Sequence, residues 1–307
     1  MAAAKRVVID LTDDGDDNAG SGGAVAAAAE DEDCLALASR GLSACAFFVL
    51  SRQPYAYLQT RFKAFDVCSE LCFISQPGSW ECGYVNTQML LTAMMATKRF
   101  KLGTSVPTIA SVQALIDAAH AAGFDPEGKQ HFDQVAGGAL RGKRVWIGPT
   151  EVASLFRMLG IAARCIDFKG PSSAVNVAKF CQTYFRHGLD AALEQFSPAT
   201  AAARPRLSAR PLPLYFQYEG HSWTLVGARD AIVLAFDPLR HGLMRERDFG
   251  VLAQRNVASE LHGHRELQIL VVGPAAGEPD VFSAEAAAAV VGSPVSKHIE
   301  GILIASP

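Results

Sequence analysis

Three residues of this chain have the types and the order that thiol-based bond cleavage requires: Cys82, His221 and Asp237. Cys82 sits in Trp80-Glu81-Cys82-Gly83-Tyr84, just ahead of an apolar-periodic run, 84–95, that reads as a buried helix. A thiol attacks only as thiolate, and the start of a helix favours that charge through the helix dipole. A neighbouring imidazolium favours it further and can later protonate a leaving amine. His221, in Gly220-His221-Ser222-Trp223-Thr224, would supply the imidazole. Asp237, in Phe236-Asp237-Pro238, would accept a hydrogen bond from the second ring nitrogen and fix the tautomer. Taken singly, each residue has a plainer reading as a small buried hydrophobe, a turn residue or a turn starter before proline. Their order and contexts agree, and that agreement carries the expectation of a triad.

The elements that must position them are legible in outline. Segments 212–218, 222–228 and 231–236 read as strands, separated by Glu219-Gly220 and Arg229-Asp230, which are hairpin-length connections. Pairing across such a hairpin would set His221 beside Asp237 although sixteen residues separate them. A further strand is expected at 268–272. Ile109, Val112, Leu115, Ile116 and Ala119 recur at helical spacing, with Gly123 as a stop. Thr150 is the expected N-cap of a helix carrying Val152, Leu155, Phe156 and Leu159. A strand at 161–168 and a helix at 174–193 follow. Helices first and a mainly antiparallel sheet afterwards predict an α+β fold, in one folded domain over 34–307. Residues 1–33 combine an acidic patch, a Gly-Ser run and an Ala tract, and are expected to be disordered.

Composition excludes several classes. Of 307 residues, half are hydrophobic and 19% are charged, with a net charge of −3, so the basic stripe of a general nucleic-acid binder is missing. No apolar run reaches the length of a membrane span, and the Asp-rich start is unlike a signal or transit peptide. Seven cysteines without framework spacing point to a reducing setting, the nucleus or cytoplasm. Cys68 and Cys72, four apart, and His262 and His264, two apart, have no second pair at zinc-finger spacing. Cys68 and Cys72 are expected in the core, and neither a metal nor a cofactor is expected. Gly20-Ser21-Gly22-Gly23 lacks the flanking strand and helix of a phosphate loop.

Four motifs, in order, carry a family resemblance. Cys82-Gly83-Tyr84-Val85-Asn86-Thr87-Gln88-Met89-Leu90-Leu91 resembles the nucleophile segment of the ubiquitin-fold-modifier-specific proteases, which are papain-like cysteine proteases. Trp146-Ile147-Gly148-Pro149-Thr150-Glu151-Val152 is similar to that family's Trp-Ile-Gly segment. The run from Leu214 to Gly227 and Phe236-Asp237-Pro238 resemble its deubiquitinating, zinc-finger-bearing branch. In the modifier-specific proteases the His follows the Asp-Pro pair directly; here Leu239 follows, and the His lies upstream at 221. The resemblance therefore implies a papain-like fold and a thiol isopeptidase that cleaves ubiquitin or polyubiquitin after the C-terminal Gly-Gly. The alternatives are a protease for another ubiquitin-like modifier and an inactive ubiquitin-binding adaptor. There are departures: Val85 replaces the usual Arg, Glu81 a common Gly and Trp223 a common Arg, and zinc fingers are absent. His241 is an alternative base, less well placed than His221.

The resemblance also suggests supporting residues. Gln76 precedes Cys82 by six positions, the spacing of the oxyanion-stabilising Gln in papain-like enzymes, and a loop Gln beside Pro77-Gly78 is the competing reading. The ubiquitin tail bears Arg and ends in Gly-Gly, so acids should line its cleft, and Asp125 and Glu151 are the candidates. A turn before Pro126 and a helix-first-turn acid are their structural alternatives. Far upstream, Val7, Val8, Ile9 and Leu11 are followed by Thr12-Asp13-Asp14. Apolar residues before acids suit a strand that adds to a partner's sheet edge. This segment resembles a SUMO-interacting motif, making SUMO or SUMO-modified proteins expected partners besides ubiquitin.

Overall fold

Helix α1 (Cys82–Ala96) has no charged residue and few polar ones, and a helix without a polar face has to be surrounded. In the computed structural model every residue from Cys82 to Met94 is buried. Its polar side chains find partners nearby: Thr87 Oγ1 donates to the Gly83 carbonyl at 2.8 Å, Thr92 Oγ1 to Gln88 at 2.8 Å, and Gln88 Nε2 to Pro107 at 2.6 Å. The structure describes residues 47–49, 64–68, 72–74, 76, 78–96, 106–159, 161–196, 211–239, 252–273 and 301–305. The expectations for residues 1–33, Val7 to Leu11 among them, and for His241 lie outside these.

Among the described residues three short strands precede α1: β1 (Phe47–Val49), β2 (Asp66–Val67) and β3 (Cys72–Ile74). After it come α2 (Ile109–Ala121), α3 (Pro126–Ala136), α4 (Pro149–Met158), β4 (Ala163–Lys169), α5 (Ser173–His187) and α6 (Leu189–Glu194). The chain continues through β5 (Leu214–Tyr218), β6 (His221–Arg229), β7 (Ile232–Phe236), β8 (Leu252–Asn256), α7 (Val257–Glu260), β9 (Glu266–Val272) and β10 (Gly301–Ala305). The main sheet runs β10-β4-β9-β5-β6-β7-β8, with β2 also paired to β6, and β1 and β3 form a separate antiparallel pair. Every pairing in the main sheet is antiparallel except β10 with β4.

The sheet is covered on two sides. One core layer joins Phe180, Cys181 and Tyr184 of α5 to Phe216, Leu225 and Ile269. The other joins Leu155 and Phe156 of α4 and Leu115 and Ile116 of α2 to Tyr215 and Leu270. Helix α1 enters both, through Val85 and Met89 on one side and Tyr84, Leu90 and Met94 on the other. Each such side chain contributes about 1.5–3 kcal/mol by leaving water, so the nucleophile helix is held from two directions.

The α+β class holds; among the described residues the short strands β1–β3 precede α1, and the sequence reading did not include them. At two or three residues each, they are too short to show an alternating pattern. The helix expected at 174–193 breaks at Gly188, whose φ of 90° belongs to glycine, giving α5 and α6. Thr150 is not a cap; Gly148 is, with Pro149 in the first turn, where the missing N–H costs nothing. The expected hairpin is present: Glu219 and Gly220 take φ of 32° and 78°, the left-handed pair of a two-residue turn.

Candidate active site

Cys82 is the first residue of α1, so its thiol stands where the main-chain N–H groups are not yet used by the helix. His221 opens β6 and Asp237 follows the last residue of β7. The β6–β7 register, Thr224 opposite Phe236, carries the two to the same end of the hairpin. His221 Nε2 lies 3.0 Å from Asp237 Oδ1. That leaves Nδ1 as the ring nitrogen for Cys82, whose thiol is hydrogen-bonded to His221 and to the side chain and main chain of Ser222. Asp237 Oδ1 also accepts from the Leu239 N–H at 3.1 Å, and Arg255 Nη2 stands 3.6 Å from Oδ2. A nucleophile at a helix head thus faces a His on a sheet.

The electrostatics suit a thiolate–imidazolium pair. Burial alone pushes the Cys82 thiol up, but hydrogen bonds from His221 and Ser222, with the His221 charge, bring it below its ordinary value. Burial lowers His221, yet Asp237 and Cys82 outweigh it and raise the imidazole to about 9. Burial likewise raises Asp237, and the His221 hydrogen bond and charge more than reverse that. Cys165 and Cys181 show the contrast: both are buried in apolar surroundings, which push their thiols far up. Cys68 is fully buried, as expected of a core residue.

The flanks of the nucleophile are tightly built. A Cβ at Gly83 would stand 2.7 Å from the Ile147 carbonyl oxygen, so only glycine lets the segment before α4 lie against the first turn of α1. That segment leaves Trp146 exposed at 63%, and Leu239 beside Asp237 is exposed at 45%.

Gln76 is buried, and its main-chain N–H donates to the Pro238 carbonyl at 2.9 Å, which ties its loop to the end of the strand carrying Asp237. Its Nε2 donates to the Gly78 carbonyl at 2.5 Å, and its Oε1 is buried without a partner. The sequence proposed Asp125 and Glu151 as acids lining a narrow cleft; in the structure Asp125 is buried and Glu151 half-buried, and each accepts a main-chain hydrogen bond at a helix head. Asp125 Oδ1 accepts from the Gly128 N–H at 3.1 Å at the head of α3. Glu151 Oε2 accepts from the Gly148 N–H at 2.7 Å at the head of α4. Burial, with a contribution from Asp125, raises the Glu151 carboxyl to about 7. Asp125 Oδ2 is left buried without a partner. His264 Nδ1 lies 2.8 Å from Glu219 Oε1, and among the described residues no cluster of His, Cys, Asp or Glu could hold a metal.

Four residues of the site were not singled out from the sequence: Asn86, Ser222, Thr224 and Arg255. Asn86 Nδ2 donates to the Cys82 carbonyl and to Ser222 Oγ, each at 2.8 Å, while its Oδ1 accepts from Thr224 Oγ1 at 2.6 Å. A signal for Asn86 was present: an amide one turn after the nucleophile, inside an otherwise apolar helix, must have a buried partner. Arg255 gave none, because β8 is short and carries no alternation.

Comparison with known proteins places these observations. The profile of peptidase family C78 matches residues 74–275. The chain is 31% identical over 210 residues to the zinc finger-containing ubiquitin peptidase 1 of Rattus norvegicus, over 63% of this chain and 34% of that protein. It is 29% identical over 177 residues to the ubiquitin carboxyl-terminal hydrolase mug105 of Schizosaccharomyces pombe, over 55% of this chain and 63% of that protein. The chain thus spans about a third of the length of the rat relative. Among solved structures, UfSP from C. elegans aligns over 74% of this chain and 38% of its own, with a TM-score of 0.45 and 15% identity.

Proposed function

Because the chain belongs to peptidase family C78, matched over residues 74–275, we propose that it is a thiol protease cleaving the bond made by the C-terminus of a ubiquitin-like modifier. The observation that carries this reading is the joined set of Cys82, His221 and Asp237, with the thiol lowered and the imidazole raised.

The proposed steps follow from that geometry. The Cys82 thiolate attacks the carbonyl carbon after the modifier's last glycine, forming an S–C bond. The carbonyl electrons move to oxygen, which is stabilised at the head of α1 by the Cys82 main-chain N–H and, on this proposal, by Gln76. His221 gives its Nδ1 proton to the leaving amine, the C–N bond breaks, and a thioester remains. A water molecule then loses a proton to His221 and attacks the thioester, and the thiolate departs. Asp237 keeps Nε2 occupied throughout, so that Nδ1 is the nitrogen that exchanges protons.

The family match supports a protease for a modifier of the ubiquitin fold better than it supports ubiquitin itself. Ubiquitin or polyubiquitin is the second reading. It is favoured by the placement of His221 upstream of Asp237-Pro238-Leu239 and by the ubiquitin-cleaving names of the rat and fission-yeast relatives. An inactive adaptor would leave the assembled triad without a role. The deciding experiment incubates the chain with ubiquitin, and separately with other ubiquitin-like modifiers, each carrying a C-terminal thiol-reactive warhead. One modifier should label Cys82 stoichiometrically, and Cys82→Ala should abolish the adduct. Labelling confined to a ubiquitin-fold modifier supports the first reading, and labelling by ubiquitin the second. No adduct with any modifier overturns both. In hydrolysis, His221→Ala should cost several orders of magnitude and His241→Ala little; the reverse would reassign the base.

A further inference from the structure

We propose that Arg255 is a positioning residue of this site, holding Asp237 in the orientation that serves His221 and itself held by Glu260. The inference rests on the reading of Cys82 as nucleophile and names a residue that reading did not need. Arg255 lies on β8, beside the strand that Asp237 follows. Its Nη1 is 3.0 Å from Glu260 Oε2, its Nη2 is 3.6 Å from Asp237 Oδ2, and its guanidinium lies over the Trp223 ring at 5.0 Å. Glu260 is fixed in turn, its Oε1 accepting from the Asn256 N–H at 3.1 Å. The result is a chain of alternating charge: Glu260, Arg255, Asp237, His221, Cys82.

Each carboxylate oxygen of Asp237 then has its own direction. Oδ1 faces His221 and the Leu239 N–H, and Oδ2 faces Arg255. Rotation of the carboxylate would break both sets at once, so the guanidinium fixes the plane in which Oδ1 meets Nε2. A planar fork packed on an aromatic ring is suited to this, because little of its freedom remains to be lost. The Trp223 ring also lies beside that of His221, with centroids 6.4 Å apart, so the surface that seats Arg255 borders the base.

The consequence is a change in ionisation and not only in stability. Among the described residues, the charged and titratable groups that act on Asp237 include His221 on β6, Arg255 on β8 and Tyr218 on β5, while Glu260 on α7 pairs with Arg255 and Cys82 on α1 with His221. Without Arg255 the Asp237 carboxylate is less firmly ionised and free to turn. The imidazolium is then less favoured, and so is the thiolate. The pH range of the reactive pair should narrow from both sides, the thiol ionising at higher pH and the imidazolium losing its proton at lower pH.

The test measures alkylation of Cys82 by iodoacetamide in the intact chain across the range from about pH 4 to about pH 10, read by mass spectrometry at that residue. Arg255→Met should move the acid limb up by about half a unit to one unit, slowing alkylation on that limb about threefold to tenfold. Arg255→Lys, which keeps the charge but not the stacked fork, should recover part of the shift, and Glu260→Gln should show a smaller one in the same direction. Arg186→Ala, which breaks an exposed pair with Asp66, should leave the profile unmoved. A folded Arg255→Met protein with the wild-type profile overturns the proposal, as does Arg255→Lys performing no better than Arg255→Met. If Arg255→Met does not fold, an unshifted profile in Glu260→Gln overturns it instead. Alkylation needs no modifier, so failure of the warhead experiment and failure of this one remain distinct.

Discussion

Thr224 donates its hydroxyl to Asn86 Oδ1 at 2.6 Å, and this buried bond joins the strand that carries His221 to the helix that carries Cys82. The same amide donates to Ser222 Oγ, which itself contacts the thiol. One side chain thus sets the spacing between nucleophile and base. Asn86→Ala leaves two buried hydroxyls and the Cys82 carbonyl without this partner. It should cost about 1–3 kcal/mol of stability, read by thermal unfolding, and slow Cys82 alkylation even at temperatures where the protein is folded. Unchanged alkylation in the folded variant would show that the spacing is set elsewhere.

The imidazole of His221, raised to about 9, sets the alkaline limit of the reactive pair. Alkylation of Cys82 should rise below the ordinary thiol range and change again near about pH 9. Asp237→Asn removes the largest raising influence and should bring that upper limit down towards the ordinary His value of about 6.5. The linkage has a definite sign. A raised His stabilises the fold fully below its unfolded value and loses that contribution as pH rises through about 9. Asp237→Asn should therefore destabilise the protein at neutral pH and much less at pH values above about 10. Equal losses at both would remove the ion pair from the account.

Glu151 carries the opposite sign. Its carboxyl, raised to about 7 by burial, costs the fold stability as pH climbs from its unfolded value of 4.5 through about 7. Glu151→Gln keeps an oxygen to cap Gly148, and should stabilise the protein by about 1–3 kcal/mol above that range and hardly at all below it. Thermal unfolding at two pH values decides this. Asp125 has an unpartnered buried oxygen, which could receive a modifier's Arg. Asp125→Asn should then raise KM with little change in kcat, and an unchanged KM would confine Asp125 to capping α3.

The apolar-then-acidic segment at 7–14 stands as a proposal from the sequence alone. A peptide of residues 1–20 should bind SUMO weakly, on the order of micromolar to tens of micromolar, or about −6 to −8 kcal/mol. Replacing Val8, Ile9 and Leu11 with Ala should abolish binding without touching modifier cleavage. Binding undetectable at millimolar peptide would remove SUMO as a partner, and with it the argument for a nuclear setting.

The local chemistry was legible in the sequence by itself. Cys82 at a helix start, the Glu219-Gly220 turn, and His221 and Asp237 at matching ends of a hairpin are all set by near neighbours in the chain, through capping, turn geometry and strand register. The α+β class followed from the same short-range patterns. What only the tertiary structure decided is whatever depends on elements far apart in sequence. The Asn86–Thr224 bond spans 138 positions, and no periodicity records it. Asp125 and Glu151 have the charge for a basic tail, and only the packed whole showed that each also accepts a hydrogen bond at a helix head. Arg255 reaches Asp237 because β8 pairs with β7 in one register, and a strand of five residues cannot announce its partner. Residue types fix which interactions are possible; packing decides which of them are made, because side chains from distant segments must share one water-free interior.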